Sequence, residues 1–128
     1  MRILLDTHAF LWWLFDDPKL SQSARECIRK RGNTIFVSAA SAWEISTKHR
    51  LGKLPEASVV VTQFSRLLKR AGMEALDVSV EHALLAGTLA IAHCDPFDRM
   101  LAAQSRLENL PLLTRDPALA MFDIDLLW

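Results

Sequence analysis

The stretch RILLDTHAFLWWL, residues 2–14, joins a short apolar run to an Asp-Thr pair and then to a second, longer apolar segment. Four consecutive residues, Arg2–Leu5, have the length and composition of a buried strand. The residues that follow, His8-Ala9-Phe10-Leu11, would accept Thr7 as an N-cap equally well. Asp6 then ends an apolar strand at a place where no cap is required of it, which makes it a candidate for chemistry.

The same pattern of apolar run and amphipathic segment repeats along the rest of the chain. Further strands are predicted at Thr34–Val37, Ala75–Val78, Leu110–Leu113 and Ile124–Leu127. Helices are predicted from Ser21 to Arg31, Ser38 to Leu51, Pro55 to Ala71, Ser79 to Ala92, Asp95 to Asn109, and briefly after Asp116-Pro117. This alternation is typical of an α/β fold with a parallel sheet and helices on both faces. We expect residues 1–128 to form one domain.

The amino-acid composition excludes several classes of protein. Half of the residues (51%) are apolar, which is enough for a core and too many for a disordered chain. Cys27 and Cys94 form no CxxC pair, and we interpret them as free thiols in a reducing compartment. Asp6 and His8 interrupt the apolar start, and no other run approaches the length of a membrane span. We therefore expect a soluble, cytoplasmic protein.

Charge is unevenly spread, although the net charge is zero. Residues 1–72 carry 12 Lys/Arg and 6 Asp/Glu, whereas residues 73–128 carry 3 and 9. A basic half beside an acidic half is compatible with an enzyme that binds a polyanion and uses a metal. Ordinary scatter gives the same distribution, so charge alone does not decide the function.

Four acidic residues stand at junctions between predicted elements: Asp6, Glu44, Asp98 and Asp116. Ligand sites of open α/β sheets lie outside the carboxyl ends of the strands. Asp6 and Asp116 fall there by position, and Glu44 and Asp98 can reach the same edge from the following helices. Clustered carboxylates repel one another unless a cation lies among them. Without His/Cys ligand spacing, four carboxylates favour Mg²⁺, with Mn²⁺ as a substitute, over Zn²⁺.

Each carboxylate also has a purely structural interpretation. Asp95 and Asp116 both precede proline and suit helix N-caps, and Ser41-x-x-Glu44 matches a capping box. Glu44 and Lys48 are spaced as an i,i+4 ion pair. These interpretations remain open beside the catalytic one.

Four segments together resemble the PIN domain, specifically the VapC-like toxin group. They are LLDTHAFLWWL (4–14), VSAASAWEISTKHRLGKL (37–54), DPFDRMLAAQS (95–105) and LLTRDPAL (112–119). The resemblance implies a three-layer α/β/α sandwich with a roughly five-stranded parallel sheet. It also implies metal-dependent endonucleolytic cleavage of RNA.

The resemblance further implies roles for individual residues. Asp6, Glu44, Asp98 and Asp116 match the four acidic positions of the family, and would be both metal ligands and catalytic residues. Asp95 would be an additional acidic residue that acts through water or only as a helix cap, and we favour the cap. The hydroxyls of Thr7 and Thr114 would orient carboxylates or hold water on the metal. The implied partners are an RNA substrate, a small antitoxin protein that enters the active-site groove, and a second copy of the chain.

Several other residues have two possible roles. Lys48, Arg50 and Lys53 form a basic patch that would either contact phosphates or simply be solvated. We expect Arg99 to stabilise a phosphate or to pin a carboxylate. His8 and His93 lie near the acidic residues in sequence but show no ligand spacing, so we leave them outside the site.

Tryptophans form a further ambiguous set. Trp12, Trp13 and Trp43 would either stack on RNA bases or pack in a core or a dimer, and we favour packing.

Three rival functions were compared with this interpretation. A phosphatase of the haloacid-dehalogenase type needs a second Asp two residues after Asp6, where His8 stands. A receiver module needs an acceptor Asp after the third strand, where Ser79 follows instead. A catalytically silent PIN-like RNA-binding or scaffold protein is the remaining alternative, and the four filled acidic positions argue against it.

Overall fold

The computed structural model describes residues 1–128, and its centre is an all-parallel sheet of five strands in the order β3-β2-β1-β4-β5. The strands are β1 (Arg2–Leu5), β2 (Thr34–Ser38), β3 (Glu74–Leu76), β4 (Leu112–Leu113) and β5 (Leu126–Leu127). The first strand in the sequence is therefore the central strand of the sheet. Its carboxyl end, where Asp6 begins, lies between those of β2 and β4.

Helices fill the connections between the strands. They are α1 (Thr7–Leu14), α2 (Gln22–Arg29), α3 (Ala39–Arg50), α4 (Ser58–Thr62), α5 (Phe64–Ala71), α6 (Val80–Thr88) and α7 (Pro96–Glu108). Two 3-10 helices cover Pro55–Ala57 and Pro117–Phe122. No helix of the protein has both the length and the apolar character needed to cross a membrane.

Alternate residues of the central strand enter two separate cores. Ile3 and Leu5 pack in a cluster with side chains of α1 to α5, whereas Leu4 packs with Leu101 of α7 and Phe122 on the opposite face. All three β1 side chains are fully buried, as expected for a parallel strand covered on both sides. The predicted three-layer α/β/α sandwich with a five-stranded parallel sheet is confirmed.

Local signals placed several element ends correctly. The Ser21 hydroxyl caps α2 by accepting from the Ala24 N–H at 3.0 Å. Gly72 ends α5 in the left-handed region, with φ of 68°, a conformation that glycine adopts without a steric penalty. Asp95 caps α7 and Asn109 ends it, as the sequence predicted.

Several element bounds differ from the prediction: β4 and β5 are each two residues long, and the predicted helix from Pro55 to Ala71 is divided into a 3-10 helix, α4 and α5. β3 covers Glu74–Leu76 and not Ala75–Val78, because the chain leaves the sheet where the Asp77 carbonyl accepts a hydrogen bond from the Gln104 side chain. Helix α6 ends at Thr88 and not near Ala92. The backbone after Thr88 is irregular because its carbonyls bind the side chain of Arg99, as described below.

Candidate active site

Asp6 and Asp116 are brought together by the pairing of β1 with β4. Leu5 lies opposite Leu113 in the sheet, so the residues that follow these strands leave the same edge side by side. The Thr114 hydroxyl donates to Asp6 Oδ2 at 2.5 Å and accepts from the Asp116 N–H at 3.1 Å. Thr114 therefore links the two acidic residues, in the orienting position that the sequence analysis expected.

Asp6 has a second, structural contact that the sequence analysis did not expect. Its backbone is extended, with φ of −75° and ψ of 169°, and Oδ1 accepts from the Ala9 N–H at 2.7 Å. Asp6 is thus the N-cap of α1, and Thr7, which suited that position equally well by residue type, is not. Thr7 already lies in the helix, and its hydroxyl donates to Ser41 Oγ at 2.9 Å, which ties α1 to α3.

Glu44 reaches the same region from α3 and is buried, with 4% of its surface exposed. The expected capping box with Ser41 is absent, because α3 begins one turn earlier with Ser38 as its cap. Glu44 Oε2 instead accepts from Lys48 Nζ at 2.5 Å, the predicted i,i+4 pair. One oxygen of the Glu44 carboxylate is therefore paired with the Lys48 ammonium group.

Asp98 lies in the first turn of α7 and contacts a histidine that the sequence analysis left out. His93 Nε2 lies 2.9 Å from Asp98 Oδ2. The signal available in the sequence was only that His93 precedes Asp98 across the Asp95-Pro96 helix start. Asp95 Oδ1 accepts from the Phe97 N–H at 2.8 Å and the Asp98 N–H at 3.2 Å, so it acts as the favoured helix cap.

The pKa values of Asp6 and Asp98 depend on burial and on the charge of Glu44. Burial raises the pKa of Asp6, and the hydrogen bonds from Thr114 and Ala9 lower it in part. Burial also raises the pKa of Asp98, and its hydrogen bond with His93 opposes that shift. The charge of Glu44 adds to the upward pKa shift of both aspartates, which indicates that Glu44 lies within electrostatic range of each.

Arg99 pins no carboxylate. Its guanidinium donates to four backbone carbonyls at 2.6–3.0 Å, those of Ala86, Leu89, Ile91 and His93. A planar group with five N–H donors suits such a set, because it can satisfy several carbonyls of an irregular segment at once. Arg99 therefore folds the segment that carries His93 toward Asp98.

Lys48, Arg50 and Lys53 do not form one uniform patch. Lys48 is bound to Glu44, whereas Arg50 and Lys53 are exposed at the end of α3 and beyond it. Trp12 and Trp13 pack partly against the larger core, as favoured, but Trp43 is 61% exposed and meets only Phe97 edge-on at 4.9 Å.

The acidic side chains fit a magnesium ion by their chemistry but are individually paired. Carboxylate oxygens are the hard ligands that Mg²⁺ prefers, and buried carboxylates with raised pKa values are stabilised by a nearby cation. No three His, Cys, Asp or Glu side chains lie close enough together to hold a metal ion in this arrangement. Lys48 and His93 each contact a single carboxylate oxygen, so Glu44 Oε1 and Asp98 Oδ1 keep no protein partner and are available to a cation.

A parallel sheet with acidic side chains at its carboxyl edge defines an α/β protein with a candidate metal-dependent site. The sequence model of the PIN domain matches residues 3–124, and the chain therefore belongs to the PIN-domain family. The resemblance found in the sequence is confirmed at this level.

Individual relatives agree with this assignment. The chain is 39% identical over 70 residues to Ribonuclease VapC16 of Mycobacterium tuberculosis, a match that covers 52% of this chain and 48% of the relative. The chain thus spans about half the length of the curated relative that it matches.

Similar structures cover nearly the whole chain at low identity. VapBC2 from Rickettsia felis, bound to a DNA fragment from their promoter, is 19% identical, with a TM-score of 0.66 over 99% of this chain and 98% of that chain. FitAcB from Neisseria gonorrhoeae is 17% identical, with a TM-score of 0.59 over 100% and 97%. At these identities the similarity shows the fold.

Proposed function

We propose that the protein is a Mg²⁺-dependent endoribonuclease and the toxin component of a toxin–antitoxin module. The observation that carries the proposal is that burial raises the pKa of both Asp6 and Asp98 and that the charge of Glu44 adds to each of these shifts, so three carboxylates share one region. The similarity to a relative named as a ribonuclease supports the choice of RNA as substrate.

Asp6, Glu44, Asp98 and Asp116 would hold the ion, with Mn²⁺ as a substitute. A bound divalent cation would neutralise the carboxylates and stabilise the charge that develops on a phosphodiester during hydrolysis. Asp95 serves as the cap of α7 in this proposal and not as a ligand.

The chain's own residues would prepare this site before the ion arrives. Thr114 and the Ala9 N–H each hold one oxygen of Asp6, which fixes the carboxylate in one orientation. Lys48 Nζ donates to Glu44 Oε2, and His93 Nε2 lies 2.9 Å from Asp98 Oδ2, so both acidic side chains are held by a neighbour. Lys48, Arg50 and Lys53 would contact the phosphates of the substrate.

The proposed partners are a small antitoxin protein and a second copy of the chain. The structural similarity to VapBC2 and FitAcB supports an antitoxin partner. An apolar groove between α3, α6 and α7 supports self-association, because the exposed Trp43 and Val78 line it together with the half-buried Phe97 and Met100. We propose that the protein acts in the cytoplasm, where RNA is its substrate.

Expression of the wild type and of Asp6→Asn in bacteria without antitoxin tests this proposal. Asparagine retains the oxygen that caps α1 and removes the anionic charge, so the fold should survive. We expect the wild type to arrest growth and to produce discrete RNA fragments, and the variant to do neither. Identical behaviour of two soluble, folded proteins would instead favour the silent RNA-binding or scaffold alternative.

A further inference from the structure

An open cavity beside Asp6 has walls of two different chemical kinds. Its lining residues are Asp6, His8, Trp12, Arg115, Asp116 and Pro117. The lining includes two carboxylates proposed as metal ligands, and also the indole of Trp12 and the guanidinium of Arg115. The proposed mechanism uses the carboxylates and leaves Trp12 and Arg115 without a role.

Trp12 is held in a fixed position relative to Asp6. Asp6 caps α1, and Trp12 belongs to the second half of the same helix, one turn after His8 on the same face. Its ring lies 5.8 Å from the His8 ring and 5.9 Å from the Trp128 ring, which it meets edge-on. The indole is half-buried and packs against the core, so its orientation is set by the fold.

The Arg115 side chain contacts an aromatic ring and no carboxylate. It stands between Thr114 and Asp116 in the sequence, yet it forms no salt bridge with Asp6 or Asp116. Its guanidinium carbon instead lies 5.1 Å from the centre of the Trp12 ring, and Lys19 Nζ lies 5.9 Å from the same centre. The cation stays exposed on an aromatic support at the edge of the acidic site.

We propose that Trp12 and Arg115 form a stacking platform for one unpaired base of single-stranded RNA, next to the phosphodiester bond presented to the carboxylates. The substrate class rests on the proposed ribonuclease function. Indole and guanidinium planes both stack on bases of any identity, and Arg115 and Lys19 can also contact the adjoining phosphates. Bases of a duplex are already stacked on their neighbours, so the platform selects an unpaired nucleotide.

RNA binding measured without divalent metal distinguishes contacts to the bases from contacts to the phosphates. The probes are a fluorescein-labelled oligoadenylate and an abasic ribose-phosphate oligomer of the same length, measured by fluorescence anisotropy in EDTA. We expect the wild type to bind oligoadenylate about tenfold more tightly than the abasic oligomer. Trp12→Leu and Arg115→Gln should each reduce this ratio toward one, and Trp12→Phe should retain most of it because a ring remains.

Controls distinguish stacking from general charge and from unfolding. Arg70→Gln removes one exposed cation at the end of α5, far from this cavity in the fold, and should leave the ratio unchanged. Arg115 is exposed, so its variant should fold even if Trp12→Leu is destabilised. If Arg115→Gln and Trp12→Leu both fold and both keep the wild-type ratio of affinities for the two probes, the proposed stacking platform is wrong.

Cleavage of RNA with Mg²⁺ is measured separately, so that the two proposals fail differently. Metal-dependent cleavage combined with equal wild-type binding of the two probes would reject the platform and keep the ribonuclease. Base-dependent binding through Trp12 without any cleavage would keep the platform and reject the ribonuclease.

Discussion

The hydroxyl of Thr114 donates a 2.5 Å hydrogen bond to Oδ2 of Asp6 and thereby joins residues that are 108 positions apart in the sequence. The bond opposes the effect of burial on the Asp6 carboxylate, because a hydrogen bond to the charged form favours that form. Thr114 also accepts from the Asp116 N–H, so one hydroxyl holds two acidic residues in place.

Thr114→Val should therefore weaken metal binding while keeping the volume of the side chain. Without the hydroxyl, Asp6 is harder to ionise and less well oriented, and we expect Mg²⁺ or Mn²⁺ affinity to fall by about tenfold, the range typical for groups that support metal ligands. Isothermal titration calorimetry measures this affinity. Thr114→Ser retains the donor and is the matched control; equal affinities of the valine and serine variants would contradict the role of the hydroxyl.

The raised pKa of Asp6 predicts how the metal-free protein responds to pH. Because the folded-state pKa lies above the ordinary aspartate value of 3.8, this group contributes stability that is present below pH 3.8 and is lost as the pH rises through the folded-state pKa. Asp6→Asn removes that titration. In EDTA, the Tm of the variant relative to wild type should therefore increase by a few degrees from about pH 4 to about pH 8.

Added Mg²⁺ should reverse that ordering at neutral pH, since a cation bound to the native state stabilises the wild type more than a variant that lacks one ligand. Differential scanning fluorimetry at several pH values, with and without the ion, gives all four curves. A constant difference in Tm between the two proteins across this pH range would show that Asp6 does not titrate as its burial predicts.

The parallel sheet could be predicted from the sequence because it depends on local patterns. An apolar run such as Arg2–Leu5 forms a strand wherever helices cover it, and parallel strands necessarily end at one edge. A side chain's hydrogen-bond partner depends on the tertiary structure, and here the local interpretation failed. Asp6 and Thr7 both suited an N-cap by residue type, and only the packing of α1 against α3 decided between them.

Arg99 shows the same limit on the other side of the site. Adjacency to Asp98 suggested an electrostatic role, but the side chain turns back to carbonyls 6 to 13 residues earlier in the chain. A segment whose carbonyls are bound by one guanidinium has no periodic sequence pattern from which it could be predicted. The position of His93 beside Asp98 was missed for the same reason.

Arg99→Lys should loosen the segment between α6 and α7. Lysine keeps the charge but lacks the planar set of five donors, so several of the four carbonyls would lose their partner, at a total of about 1–3 kcal/mol. Hydrogen exchange followed by mass spectrometry should show faster exchange in residues 89–94 and little change in α5. Arg70→Lys, at an exposed helix end, controls for the substitution itself; unchanged exchange in both variants would contradict the anchoring role.

Replacing Lys48 should raise the affinity of the site for Mg²⁺ and lower its affinity for RNA. Its ammonium lies 2.5 Å from Glu44 Oε2 and occupies a carboxylate that the proposed metal site needs. Lys48→Met removes that competitor, and the apparent Mg²⁺ affinity should rise by about three- to tenfold. RNA binding should weaken at the same time, because a phosphate-contacting cation is lost.

Arg50→Gln is the matched control for Lys48→Met. It removes the same charge from the same helix end, but Arg50 is exposed and does not bind Glu44, so metal affinity should stay within about twofold of wild type. Calorimetric titration of both variants at moderate salt separates a specific contact from the general field of the basic residues. A lower metal affinity in Lys48→Met would show that Lys48 supports the orientation of Glu44 and does not compete with the ion.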